Sequence, residues 1–319
     1  MGQQRVRVVV VGAGHLGNYH LQKLKADPLA EVVGLVEPRA DRRDEMQARH
    51  GVPGAATLRE LAAKADAVVI ATPTSGHLEL ALAALELGHH VLVEKPLALT
   101  PADGEKLVAA AKARGRVLQV GHTERFNPAV AAALAIADRP GYINAERLGP
   151  FSGRSTDVDV ILDLMIHDLD IVASLVKAPL TEVRAIGVPL LTHEVDMAAA
   201  RLAFADGTVA QLSAGRASLE PVRKIRLFTR ERYLSIDCQT REVKSVRRLP
   251  AEPGNPWPQI TGEPVEVPEG DPLALQDHDF LACILERRTP RVDGEAGLKA
   301  LRLAAAVKEA MSVPAYPED

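Results

Sequence analysis

The sequence predicts an α/β protein: a doubly wound parallel sheet followed by an α+β domain with an open, mostly antiparallel sheet. Three observations carry that expectation. Through residue 121, short and almost wholly apolar runs alternate with amphipathic helical stretches, the pattern of parallel strands covered on both faces by crossover helices. Beyond Gly121 the apolar runs alternate with polar residues and are separated by turn signals, as in hairpin-linked strands. A chain of 319 residues also exceeds one ordinary core, so two domains are expected.

The elements follow in order. Strands are expected at 6–11, 32–36, 67–70, 90–93 and 117–120, with helices near 15–25, 41–50, 75–87 and 101–114. Gly88 ends the third helix, and Thr100-Pro101 opens the fourth as N-cap and first helical residue. After Gly121 come a helix from Asn127, a strand at 141–147, a loop at 149–157 and a helix over 160–176. Alternating runs at 182–188, 198–204, 209–214, 224–229 and 232–237 read as strands. Asp206-Gly207 between two of them is a tight-hairpin signal. The stretch 250–272 holds seven prolines and reads as an extended surface loop without regular structure. Helices at 273–287 and 294–311 close the chain, and there is no internal repeat.

Composition excludes several classes of function. The chain is 47% apolar and 25% charged, as a globular protein is. Its formal charge of −4 and lack of a long basic block argue against a nucleic-acid partner. Arg39, Arg42 and Arg43 sit among Asp41, Asp44 and Glu45, as on a solvated helix face. The two cysteines, Cys238 and Cys283, lack metal-ligand spacing, so neither a disulfide framework nor a metal site is expected. No apolar stretch is long enough to span a membrane. The cytoplasm is the expected location.

Gly12-Ala13-Gly14-His15-Leu16-Gly17 fits G-x-G-x-x-G directly after a buried strand and at the start of a helix, and the next strand ends at Glu37. That context is the dinucleotide-binding one of a Rossmann domain. Gly12 allows the tight turn, Gly14 the approach of a pyrophosphate, and Gly17 close packing of helix on strand. A carboxylate at Glu37 pairs with a ribose 2′-hydroxyl and repels a 2′-phosphate, which favours NAD over NADP, although Arg39 pulls the other way. Thr72-Pro73 follows the third expected strand at its carboxyl end, where ligands bind in such sheets; a plain helix-entry turn is the alternative. Glu94-Lys95-Pro96 ends the next strand, and Lys95 there is either a cation for the nicotinamide end of the crevice or an exposed structural lysine. Asp163 and His167 lie four apart on an otherwise apolar helix. They are either a satisfied structural pair or a proton-transfer pair.

Taken together, the glycine motif, Glu94-Lys95-Pro96 and Asp163-x-x-x-His167 resemble the glucose–fructose oxidoreductase / inositol dehydrogenase / MocA (Gfo/Idh/MocA) family over nearly the whole chain. The resemblance implies an NAD(P)-dependent dehydrogenase acting on CH–OH groups, with a Rossmann domain over 1–121 and a substrate and oligomerisation domain over 122–319. In one arrangement the final helix, 294–311, packs back on the Rossmann domain. Lys95 would hold the reacting oxygen, His167 act as acid/base, and Asp163 orient substrate or tune His167. Gly12, Gly14, His15, Leu16, Gly17, Glu37, Arg39, Thr72, Pro73, His77, Glu94, Lys95 and His122 would contact the cofactor. A homodimer or homotetramer is implied.

Residues 121–128 and 153–159 are similar to a bacterial branch of the family that oxidises the 3-hydroxyl of UDP-N-acetylglucosamine ahead of a transamination towards lipid A. A diphosphate needs cations, and Arg125, Arg154, Arg216, Arg223 and Lys224 are available for that or for the surface. Arg125, Asn127, Arg154, Asp163 and His167 are the substrate-side candidates. A free sugar or a cyclitol such as inositol is the alternative substrate. A nicotinamide-binding sensor without turnover is the alternative of another class, opposed by the presence of both Lys95 and His167.

Overall fold

The computed structural model describes residues 4–153 and 158–314. All five valines among the six residues of β1 (Val6–Val11) are buried, because the strand is central in a sheet covered on both faces. Around it lie β2 (Ala30–Val36), β3 (Gly54–Ala55), β4 (Ala67–Ile70), β5 (His90–Glu94) and β6 (Leu118–Gly121), all parallel, in the order β3-β2-β1-β4-β5-β6. The connections α1 (His15–Ala26), α2 (Ala40–His50), α3 (His77–Glu86) and α4 (Pro101–Ala113) are the helices expected from the sequence. Thr100 caps α4 by accepting the Asp103 N–H, with Pro101 at the first helical position. The order reverses between β1 and β4, so the carboxyl ends of these two strands border the crevice where an open α/β sheet binds its ligand.

The second unit begins with α5 (Pro128–Ile136) and β7 (Pro140–Leu148). A single wide turn, Ile161–Met165, leads into α6 (Ile166–Leu175), with the Ile166 N–H reaching back five residues to Ile161 O. The remaining strands are β8 (Leu180–Val188), β9 (Met197–Phe204), β10 (Val209–Gly215), β11 (Val222–Thr229), β12 (Arg232–Asp237), β13 (Glu242–Leu249) and β14 (Gln259–Glu263). With a terminal two-residue strand they form a nine-stranded mixed sheet, mostly antiparallel, in which only β7–β10 and the last pairing are parallel. The Asp206-Gly207 turn forms as expected: Gly207 takes φ 85° and Asp206 Oδ1 accepts the Thr208 N–H.

The proline-rich stretch 250–272 is not wholly irregular. Its five proline-free residues, Gln259–Glu263, pair with β13 as the sheet's edge strand, so proline is excluded only from the flanks. The chain closes with α7 (Pro272–Glu286), α8 (Gly294–Glu309) and β15 (Met311–Ser312), which adds to β8. Residues 270–301 group with the first sheet, and 302–314 with the second. On α7, Phe280 and Leu281 join the core formed by Val8, Val10, Leu21 and Leu24. Among the described residues no helix is long and apolar enough to cross a membrane.

Candidate active site

The glycine turn determines the geometry at the end of β1. Gly12 has φ 95°, where an added Cβ would lie 2.6 Å from Ala71 O, so the turn is pressed against the end of β4. At Gly17 an added Cβ would overlap Gly12 O, so α1 packs directly on the turn. Gly14 differs: nothing lies within 4 Å of its Cβ position. It is also the N-cap of α1, with no side-chain cap and no acidic residue in the first turn. The first turn of α1 therefore begins without a capping side chain and beside open space, the arrangement that receives a phosphate. His15 is exposed and stacks edge-on against Tyr19, with ring centroids 4.8 Å apart, and Leu16 is half-buried.

Glu37 closes β2 beside this turn. Its carboxylate accepts the Ala13 N–H at 3.2 Å and the Arg39 backbone and Nε groups at 3.2 and 3.0 Å. Burial raises its pKa, but the hydrogen bonds from Arg39 and Ala13 outweigh that and hold the carboxyl below the usual range, as an anion. Across the crevice, the buried Thr72 hydroxyl has no hydrogen-bond partner among the described residues, and Pro73 beside it is exposed. These features fit a dinucleotide: an open phosphate cradle, an anionic carboxylate at the second strand, and an unused hydroxyl just past β4.

His77 has a different part. Its ring is buried, with Nδ1 2.8 Å from Pro96 O and Nε2 3.1 Å from Thr72 O. It therefore sits between the Thr72 and Pro96 turns, and its single N–H in the neutral form donates to one of the two carbonyls. Burial holds its pKa below the ordinary value.

Glu94 likewise turns inward. Its Oε1 lies 3.1 Å from both His20 Nε2 and Gln276 Nε2, and its Oε2 accepts the Lys95 N–H at 3.3 Å. The other ring nitrogen of His20 lies 2.9 Å from Asp277 Oδ1. Gly121 makes room for this cluster, since an added Cβ there would overlap the Glu94 carboxylate. Burial opposes a charge on His20, but Asp277 and Glu94 outweigh it and hold the imidazole up to about 10. Burial also opposes a charge on Glu94, and His20 and Gln276 outweigh it, so Glu94 stays below its ordinary range. Burial pushes Asp277 the other way, leaving Glu94 as the firmer anion of the two.

Sequence reasoning missed His20, Gln276 and Asp277. The signal was there: polar side chains on helix faces otherwise built from Leu21, Leu24, Phe280 and Leu281.

Lys95 follows the last residue of β5, and His122 is buried just past β6, so both are at the carboxyl edge of the first sheet with the glycine turn and Thr72. Arg125 lies in the following short helical turn, Thr123–Phe126, half-buried, with its carbonyl accepting from Arg291.

The other candidates belong to the second unit. Asp163 sits in the wide turn and His167 in the first turn of α6, both half-buried. Single wide turns of this kind inside helices frequently mark functional sites. Two buried carboxylates hold this segment. Asp159 Oδ1 accepts the Ile161 and Leu162 N–H groups, and Asp168 forms a two-pronged ion pair with Arg147 of β7 at 2.8 and 3.0 Å.

Two substrate-side expectations read differently in the structure. The buried Asn127 side chain caps α5 by accepting the Ala129 N–H and donates to Cys238 O. Arg216, one of the cations considered for a diphosphate, is buried. Its Nε donates to Asp196 at 2.7 Å and its other groups to Val158 O and Thr192 Oγ1, so it anchors a loop. Arg223 is exposed, and Lys224 lies 3.8 Å from Asp237. Arg154 lies outside the described residues.

Residues 6–122 match the model of an oxidoreductase family with an NAD-binding Rossmann fold, and residues 142–234 match the GFO/IDH/MocA C-terminal domain. The chain belongs to the Gfo/Idh/MocA oxidoreductase family. This Gfo/Idh/MocA protein is 38% identical over 316 residues to UDP-N-acetylglucosamine 3-dehydrogenase from Acidithiobacillus ferrooxidans, covering 98% of each chain. The solved structure of that enzyme superposes with a TM-score of 0.89, covering 97% of this chain and 98% of the other. The scyllo-inositol 2-dehydrogenase (NAD(+)) of Bacillus subtilis is 30% identical over 245 residues, 68% of this chain and 69% of the relative. The Gfo/Idh/MocA chain is therefore a dehydrogenase, an oxidoreductase with a nicotinamide-dinucleotide domain.

The buried cluster makes a prediction about stability. His20 is raised above its unfolded value, so its contribution is complete below about pH 6.5 and is lost as pH rises towards about 10. Urea denaturation across that window should show wild-type stability falling more steeply than that of His20→Gln. Parallel curves would show that His20 does not hold its proton in the folded chain.

Proposed function

We propose that the protein oxidises the 3-hydroxyl of UDP-N-acetylglucosamine with NAD as hydride acceptor, giving a 3-keto sugar suited to a following transamination. The observation that carries the reading is end-to-end similarity to a UDP-N-acetylglucosamine 3-dehydrogenase, 38% identical across 98% of both chains. The residues of the two units support it.

The dinucleotide would lie with its pyrophosphate at Gly14 and the start of α1, its adenosine ribose at Glu37, and Thr72 beside it. When bound, the nicotinamide supplies the acceptor for the hydride leaving the sugar carbon. The protein's part is to take the hydroxyl proton and stabilise the oxygen. His167 is the base for that proton, Lys95 stabilises the charge developing on oxygen, and Asp163 orients the sugar or tunes His167. Arg125 and Arg154 are the cations assigned to the diphosphate, which offers charge-assisted contacts that a free sugar lacks.

Two further features complete the reading. Cys238 and Cys283 are both buried, and no disulfide joins them. Tyr142, Phe228 and Tyr233 stand side by side on one face of the large sheet, with Phe228 exposed, as a surface for self-association into a dimer or tetramer.

The cofactor assignment rests on Glu37, an anion already held in place by Arg39 and Ala13. Titration should show tighter binding of NAD than of NADP, with the gap narrowed in Glu37→Ala. Tighter binding of NADP by the wild type would show that Arg39 governs the pocket instead.

The substrate and catalytic assignments are tested together. UDP-N-acetylglucosamine should be oxidised with NAD in the presence of a ketone trap, and free N-acetylglucosamine only poorly, because remote binding energy helps orient the reacting carbon. Lys95→Met and His167→Asn should each lower turnover at least ~100-fold while NAD still binds. Activity on inositol but not on the nucleotide sugar would favour the cyclitol reading. Binding of NAD with no turnover on any of these would favour the sensor.

A further inference from the structure

The proposed chemistry uses Lys95 but leaves unexplained the charged cluster behind it. His20, Glu94 and Asp277 are buried, with His20 placed between the two carboxylates. Ionisable groups are costly to bury, and apolar residues of similar volume generally serve packing as well or better. The cluster also has dedicated supports. Gly121 leaves space for the Glu94 carboxylate. Gln276 donates to Glu94 while its own side-chain oxygen accepts from Thr123 at 2.7 Å and its carbonyl accepts from Gln119 at 2.9 Å.

All of these contacts converge on one stretch of backbone. Glu94 is the last residue of β5, and its Oε2 accepts the N–H of the next residue, Lys95. A lysine has a four-carbon flexible stem, so a fixed ammonium requires first a fixed Cα.

From this geometry we infer that His20 is a positioning residue for Lys95. It links α1 and α7 to the Glu94 carboxylate, which in turn holds the Lys95 backbone at the end of β5. The inference rests on the reading of Lys95 as a residue that contacts the reacting oxygen. Beyond the cluster's own members, Lys95 acts on Glu94 and Asp27, just after α1, acts on Asp277.

The test is a double-mutant cycle in the full-length enzyme, measuring turnover, KM and NAD affinity for wild type, His20→Gln, Lys95→Met and the double variant. His20→Gln should lower kcat about tenfold or more, the scale of a small misplacement of a reacting group. NAD affinity should be unchanged, because the cradle at Gly14 and the contact at Glu37 do not involve the cluster. In the Lys95→Met background, His20→Gln should cause no further loss, because an effect transmitted through Lys95 vanishes when its side chain is gone. If His20→Gln does not fold, Asp277→Asn loosens the same ring from its other nitrogen and should give the same pattern. Losses that multiply in the double variant, or a lowered Tm with unchanged kcat, would overturn the inference. Near-normal turnover of Lys95→Met alone would instead overturn the reading of Lys95 on which it stands.

Discussion

The contact between α1 and the turn after β1 is the constraint from which the first unit's site follows. Gly17 has no Cβ, and none would fit against Gly12 O, so the helix begins directly on top of the strand end. Gly14 then starts the helix with no side chain competing for its first N–H groups. The same turn abuts Ala71, which brings the ends of β1 and β4 together on either side of the reversal in strand order. A phosphate cradle, a carboxylate at Glu37 and a free hydroxyl at Thr72 are consequences of that packing. They are what remains unfilled once the strands and helix have met.

Polar residues buried away from the cradle play a supporting part in both units. In the first, Glu94, His20 and Asp277 join one strand end to two helices. In the second, Asp168 and Arg147 fix α6 to β7, and Asp159 fixes the wide turn that carries Asp163. Breaking such a buried pair from one side typically costs about 3–5 kcal/mol, so these contacts hold the candidate groups on rigid elements. Asp168 is next to His167 in sequence but turned to the sheet, which leaves the two neighbours with separate roles.

Local signals were enough for the first sheet. Its five longer strands are runs of Val, Ile and Leu at the expected places, and its helices have glycine, threonine or proline at their boundaries. The two-residue strand β3 was beyond reach because nothing at Gly54–Ala55 distinguishes pairing from a turn. In the second sheet β13 was missed, since Glu242–Leu249 carries three arginines and lysines among its apolar residues and reads as solvated. Strand β14 was hidden by the prolines on both sides of it. The candidate site was legible as far as motifs go: the glycine turn, Glu37, Lys95 and the Asp163–His167 spacing. Partners distant in sequence were not, because His20 and Asp277 are 257 positions apart and only the fold brings them together. For the same reason the protein partners of Arg216 and Asn127 could not be read from the sequence.

The central claim is that this Gfo/Idh/MocA enzyme removes a hydride from C3 of a nucleotide-linked amino sugar and delivers it to nicotinamide. Single-turnover reaction of the enzyme and NAD with UDP-N-acetylglucosamine deuterated at C3 measures that step directly, by mass analysis of the reduced dinucleotide. The account predicts one deuterium carried on the nicotinamide ring and slower transfer than with the unlabelled sugar. A reduced dinucleotide without deuterium, or no reduction at all while inositol is oxidised under the same conditions, would contradict it.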